Sequence, residues 1–120
     1  MIVLDLQPNP TKKHIEFFKD SDMDVQFEST LLGPVIHCYL SHWNKDVLFK
    51  CYLVFEEICN EFKNRGIDNI FALVKSEDDK HKKFVSLFGF DYYTDVITVE
   101  NEPYEFWSMN VTEYLEDCEQ

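Results

Sequence analysis

Between Lys45 and Asn64 the apolar side chains Leu48, Cys51, Tyr52, Phe55, Ile58, Cys59 and Phe62 recur at steps of three and four, the spacing of one helical face. Asn44 stands where an N-cap belongs, and Gly66 sits just past the end. The pattern predicts a helix of about twenty residues, roughly 30 Å long, which is the width of a small domain. So continuous an apolar stripe has to be buried against another layer. The flanking segments therefore decide the architecture.

Upstream, Val25, Phe27 and Ser29 alternate with Gln26, Glu28 and Thr30, the period of a half-buried strand. Gly33-Pro34 reads as a turn, and Val35 to Leu40 as a strand buried on both faces, so the two runs form an antiparallel hairpin. Downstream, the unbroken apolar run Ile70 to Val74 predicts a central strand. Ser76 is expected to cap a shorter helix with Glu77, Asp78 and Asp79 in its first turn, Phe84, Leu87 and Phe88 on its apolar side and Gly89 at its end. Strands over about Asp91–Val99 and Tyr104–Val111 follow, joined by a turn at Glu100–Pro103. At the start, Ile2 to Leu4 with Leu6 reads as a strand that stops at Pro8. Asn9 and Pro10 then open a helix carrying Ile15 and Phe18 up to about Lys19, and Asp20–Asp24 is loop.

The expected order is β-α-β-β-α-β-α-β-β. It implies a single α/β (α+β) domain over residues 1–120, with a mixed, mainly antiparallel sheet and helices on both faces. With 45% hydrophobic and 16% aromatic residues the chain can fill such a core, and disorder is excluded as its main state. No apolar run reaches membrane-spanning length, and the Met1 end lacks the pattern of a secretory signal. A cytoplasmic location without membrane contact is the expectation.

Charge narrows the partners. The net charge is −12, and from Asp91 onward there are nine acids with no Lys or Arg. Lys80, Lys82 and Lys83 are the nearest approach to a basic cluster. Direct binding to a nucleic-acid backbone, which needs clustered cations, is excluded. A basic surface of another protein is the partner such a chain suits. Asp95, Glu100, Glu102, Glu105, Trp107 and Glu113 are the candidate contact residues, because aromatic anchors among acids match how protein interfaces concentrate their energy. Alternation puts Tyr104 and Phe106 on one face of their strand, and Glu105 and Trp107 on the other. A homodimer through an edge strand is open.

The remaining reactive residues read as structural. Cys38, Cys51, Cys59 and Cys118 include no CxxC pair, so buried thiols are expected rather than zinc or disulfides. Adjacent on one strand, His37 and Cys38 point to opposite faces, and His37 is expected to be buried and hydrogen-bonded. His42 and Asp46 are four apart at the start of the long helix, a spacing for a capping contact or an acid–base pair. Glu56, Glu57 and Glu61 read as solvent charges, and His14 and His81 as exposed helix residues. No three metal ligands converge. Asn110-Val111-Thr112 matches a glycosylation acceptor by chance.

The stretch Ile70-Phe71-Ala72-Leu73-Val74-Lys75-Ser76, followed by Phe84-Val85-Ser86-Leu87-Phe88-Gly89-Phe90-Asp91, resembles the strand–helix–Gly-Phe signature of the GNAT acetyltransferases. The element order over residues 25–111 is similar as well. The resemblance implies a V-shaped opening between the 70–74 and 35–40 strands, with acetyl-CoA pyrophosphate held by a glycine-containing loop at the start of the long helix. Here that loop is Ser41-His42-Trp43-Asn44-Lys45-Asp46-Val47, without glycine. If CoA binds, His42, Trp43, Asn44 and Lys45 are the residues that would hold it. The family's tyrosine acid, four residues before the Gly-Phe glycine, is replaced by Val85, with Tyr92 and Tyr93 as possible substitutes, and Asp78 stands for a polar Asn near that helix's start. The 78–90 segment is also similar to a small GNAT-like virion protein of short-tailed phages, which implies a phage origin and a place in the virion or host cytoplasm.

Three functions are consistent with these residues. The first is a non-catalytic GNAT-like protein with no cofactor, acting through its acidic, aromatic C-terminal surface. The second is an acetyl-CoA-dependent N-acetyltransferase with an atypical CoA site and no assigned catalytic residue. The third is an acidic mimic of nucleic acid.

Overall fold

In the computed structural model, which describes residues 2–4, 15–30, 32–98 and 100–118, the long helix α1 spans Lys45–Asn64. The Asn44 side chain accepts from the Val47 amide at 2.9 Å, and Gly66 takes a positive φ of 76° just beyond the end. Both helix boundaries agree with the sequence reading. Val47, Cys51, Val54, Phe55, Ile58, Cys59 and Phe62 are buried along one side of α1.

The strands are β1 (Ile2–Leu4), β2 (Ile15–Lys19), β3 (Met23–Ser29), β4 (Pro34–Leu40), β5 (Asn69–Lys75), β6 (Asp91–Thr98) and β7 (Pro103–Asn110). Two further helices are α2 (Asp79–Ser86) and α3 (Val111–Cys118). The strands form one sheet in the order β1-β6-β7-β5-β4-β3-β2. Pairing is antiparallel except for β1 with β6 and β4 with β5. β5 lies at the centre, as its apolar run predicts. On its helix-facing side Ile70, Ala72 and Val74 join a cluster with buried residues of α1, with Val85 of α2 and with Val111 and Leu115 of α3. On the other side Phe71 and Leu73 pack with Val35, Val96, Tyr104 and Phe106.

Several expectations are corrected. Residues 15–19 form an edge strand, not the end of a helix. Ile15 and Phe18 are spaced as on a helix, but Ile15 and Phe17 alternate as in a strand, and antiparallel pairing with β3 decides it. The hairpin is closed by Asp20, whose carboxylate accepts from the amides of Asp22 (2.8 Å) and Met23 (3.0 Å), an Asx turn that the Asp-Ser-Asp sequence could have signalled. The proposed start of that helix at Asn9 and Pro10, with His14, lies outside the described residues. The next turn is at Thr30–Gly33, where these two residues exchange backbone hydrogen bonds; Pro34 already belongs to β4, opposite Ser29.

Asp78, not Ser76, caps α2, accepting from the His81 amide at 3.0 Å. α3 was not expected. Its signals are nevertheless present, with Val111, Tyr114 and Leu115 at helical spacing and Asn110 capping the Glu113 amide at 2.9 Å. The described element order is therefore β-β-β-β-α-β-α-β-β-α. The three described helices all bury residues in one cluster on one face of the sheet.

Candidate functional site

Strand pairing between β4 and β5 is confined to Val35↔Phe71 and Ile36↔Ala72, although both strands are seven residues long. Beyond these pairs the parallel strands diverge, and the V-shaped opening expected from the GNAT resemblance is present. It forms a cavity of about 380 Å³. One wall is His37, Cys38 and Tyr39 of β4, and the other is Leu73 and Lys75 of β5. Asp78 and His81 reach it from the start of α2, and Glu100, Glu102 and Tyr104 from the β6–β7 turn. Three carboxylates thus face one ammonium.

The polar groups here are firmly placed. His37 Nε2 lies 3.1 Å from Glu28 Oε1, with both residues buried, as the reading of a buried, hydrogen-bonded His37 requires. Tyr39 stacks on His37 with ring centroids 6.4 Å apart. Burial, and then the nearby carboxylates of Asp24 and Glu28, push the Tyr39 phenol up. Burial followed by the Glu102 carboxylate does the same to Tyr104, whose hydroxyl donates to Glu102 Oε2 at 3.3 Å. Both phenols are therefore proton-bearing donors at neutral pH. On β3, Asp24 Oδ2 accepts from Gln26 Nε2 at 3.0 Å, while its other oxygen, Oδ1, is buried with no hydrogen-bond donor among the described residues. His81 is half-buried rather than exposed, and burial holds its pKa below the ordinary imidazole value, against a smaller opposing effect of Asp78.

The second candidate region is the N-terminus of α1. His42, Trp43, Asn44 and Lys45 are all exposed, but their interactions are local. His42 Nε2 pairs with Asp22 Oδ1 at 3.2 Å, so Asp22 rather than Asp46 is its partner. Lys50 bonds to Asp20 and, at 2.9 Å, to Asp22. The Asn44 side chain caps the helix, and the Trp43 ring sits edge-on against Phe84 with centroids 5.6 Å apart. Lys50 and His42 are thus engaged by the β2–β3 turn.

The six acidic and aromatic contact candidates do not form one patch. Glu100 and Glu102 line the wedge. Asp95 lies opposite Glu105 across β6 and β7, and Glu105 is bonded to Trp107 Nε1 (3.0 Å) and Lys82 (3.1 Å). Glu113 belongs to α3. Of the substitute acids, Tyr92 packs against Trp107 and Tyr93 against Phe71, and neither lines the wedge. Val85 is buried in the helix-side cluster. Glu56 and Glu57 are exposed, as read, and Glu61 pairs with Arg65 at 2.8 Å. Among the described residues no metal-ligand cluster occurs, and no described helix is long and apolar enough to cross a membrane. Sequence reasoning named Glu100 and Glu102 as contact residues but missed that they meet Asp78, His81 and Tyr104 in one cleft, because these segments come together only through the sheet order.

No family model and no curated protein matches the chain. Among solved structures it is similar to the crystal structure of the ribosomal-protein-S18-alanine N-acetyltransferase from Escherichia coli, with a TM-score of 0.58 at 12% sequence identity, covering 85% of this chain and 72% of that one. The chain has a GNAT-like fold.

Proposed function

We propose that this chain is a non-catalytic GNAT-like domain that binds a basic segment of another protein, with the β4–β5 wedge as the receiving site. The observation that carries this reading is the charge of the wedge: Asp78, Glu100 and Glu102 against Lys75 alone. Carboxylates grouped in one cleft favour ammonium or guanidinium groups and repel phosphates. The fold neighbour is named for action on a ribosomal protein, so a protein ligand suits the fold.

The residues present do not fit acetyl-CoA in the usual way. The 41–47 loop has no glycine to let backbone amides approach a pyrophosphate. Trp43 stands there, Asp46 adds negative charge to the first turn, and Lys50 is engaged by two aspartates. Val85, in the position of the family's acid, is in the core.

A second reading is an N-acetyltransferase with an atypical CoA site at His42–Lys45. It is favoured by the buried His37–Glu28 pair, with His37 lining the wedge beside two protonated phenols. Calorimetry with a lysine-rich peptide, CoA and acetyl-CoA separates the two. Micromolar peptide binding that weakens steeply with salt, with no CoA binding at millimolar ligand, supports the lead. Micromolar CoA binding lost in Trp43→Ala and Lys45→Ala sinks it and supports the enzyme.

A further inference from the structure

Cys38 and Cys51 are thirteen positions apart in sequence, on β4 and α1, yet both line one small apolar cavity of about 50 Å³ between the sheet and the helix. Cys51 belongs to the helix-side core cluster, and Cys38 packs against that cluster. Cys38 also lines the 380 Å³ wedge, so the pair sits where the open cleft meets the core. Cys51 is buried and Cys38 half-buried. The fold thus places two cysteines on the wall of one cavity, and Cys38 is also a lining residue of the wedge.

We infer that Cys38 and Cys51 form a redox-active dithiol, a site of reversible disulfide formation by a peroxide-class oxidant small enough to enter the cavity they share. This inference is independent of what else the wedge binds. The electrostatics give the two sulfurs different roles. The neighbouring Cys38 thiol, and more weakly the Lys50 ammonium, draw Cys51 below the ordinary thiol value, while the Cys51 thiol and burial push Cys38 up. Cys51 is therefore the member that reacts first as a thiolate. Its sulfur takes one oxygen from hydrogen peroxide, breaking the O–O bond, and water leaves, producing a sulfenic acid. The Cys38 sulfur then attacks that sulfur, loses its proton, and a second water departs. Two thiols and one peroxide become one disulfide and two waters, a two-electron oxidation of the pair. Glutathione or another small thiol reverses it by exchange.

The test uses the full chain, reduced and then treated with a few-fold excess of hydrogen peroxide. It is denatured, alkylated with N-ethylmaleimide and weighed intact. The chain has four cysteines. All are expected to be alkylated before treatment and two after it, with a loss of about 2 Da from the unmodified portion. Non-reducing digestion should yield a peptide joining Cys38 to Cys51, and dithiothreitol should restore full labelling. In Cys38→Ser, which removes the resolving sulfur, dimedone should capture a sulfenic acid on Cys51. A disulfide joining any other pair, sulfinic acids in place of a disulfide, or unchanged labelling overturns the inference. The primary readout is on the unmutated chain, so no variant's folding decides it.

Discussion

Phe106 has no exposed surface and stacks on Phe71 with ring centroids 5.3 Å apart. Removing its ring leaves a cavity in the smaller cluster, and Phe106→Ala should destabilise the fold by about 3–5 kcal/mol in urea denaturation. Asn44→Ala removes the cap of α1 and is expected to cost about 1 kcal/mol by the same measurement. His81 provides a pH signature. Its pKa in the fold lies below the ordinary 6.5, so the unfolded chain binds the proton more readily. Stability from this group is complete above pH 6.5 and falls as the pH drops towards the folded-state pKa. Thermal melts at pH 7.5 and 5.5 should therefore differ less in His81→Gln than in the parent chain. Residues of this kind were legible only in part. The Asn44 cap follows from local spacing, whereas the burial of His81 depends on where α2 docks.

At the scale of elements, the Thr30–Gly33 turn controls how β3 meets β4. Gly33 has φ +141°, and a Cβ there would lie 2.9 Å from Phe71 Cε2. Gly33→Ala must strain the backbone and displace a core ring, so a loss of about 1–3 kcal/mol is expected. α3 is held by Leu115 in the main cluster and by Tyr114 edge-on to Phe55 at 4.9 Å. Leu115→Ala should cost about 2–5 kcal/mol, measurable as a lowered denaturation midpoint. An outcome near zero would mean that α3 does not support the core. The contrast between α1 and β2 explains what local reading can reach. Seven apolar positions over about four turns specify a helix, but five residues with three apolars, at spacings of two and three, do not distinguish a strand from a helix. Pairing with β3 supplies the missing information.

Across the whole molecule, charge and topology act together. The net charge of −12 sets a general attraction for basic partners, while the wedge concentrates carboxylates from α2 and the β6–β7 turn in one cleft. Glu100→Gln with Glu102→Gln should weaken binding of a lysine-rich peptide about tenfold and flatten its salt dependence. Stability should change little, because Glu100 and Glu102 are exposed. An unchanged affinity would remove the wedge from the reading. The acidic C-terminal quarter was visible in the sequence, but its residues separate in space: Glu105 is bonded to Lys82 and Trp107, Glu113 lies on α3, and only Glu100 and Glu102 of the six candidates line the cleft.

Sequence alone determined α1 with both its ends, the hairpin of β3 and β4, the central β5 and the paired β6 and β7, because periodicity, caps and turn residues are local signals. It also determined the missing glycines of the 41–47 loop and the valine at position 85, since these are matters of identity at a position. The tertiary structure decided that 15–19 is a strand, and that all three described helices bury into one face. It also decided that β4 and β5 part after two residue pairs, and that Cys38 meets Cys51. Each of these depends on contacts between segments far apart in the chain, whose energies no local window contains.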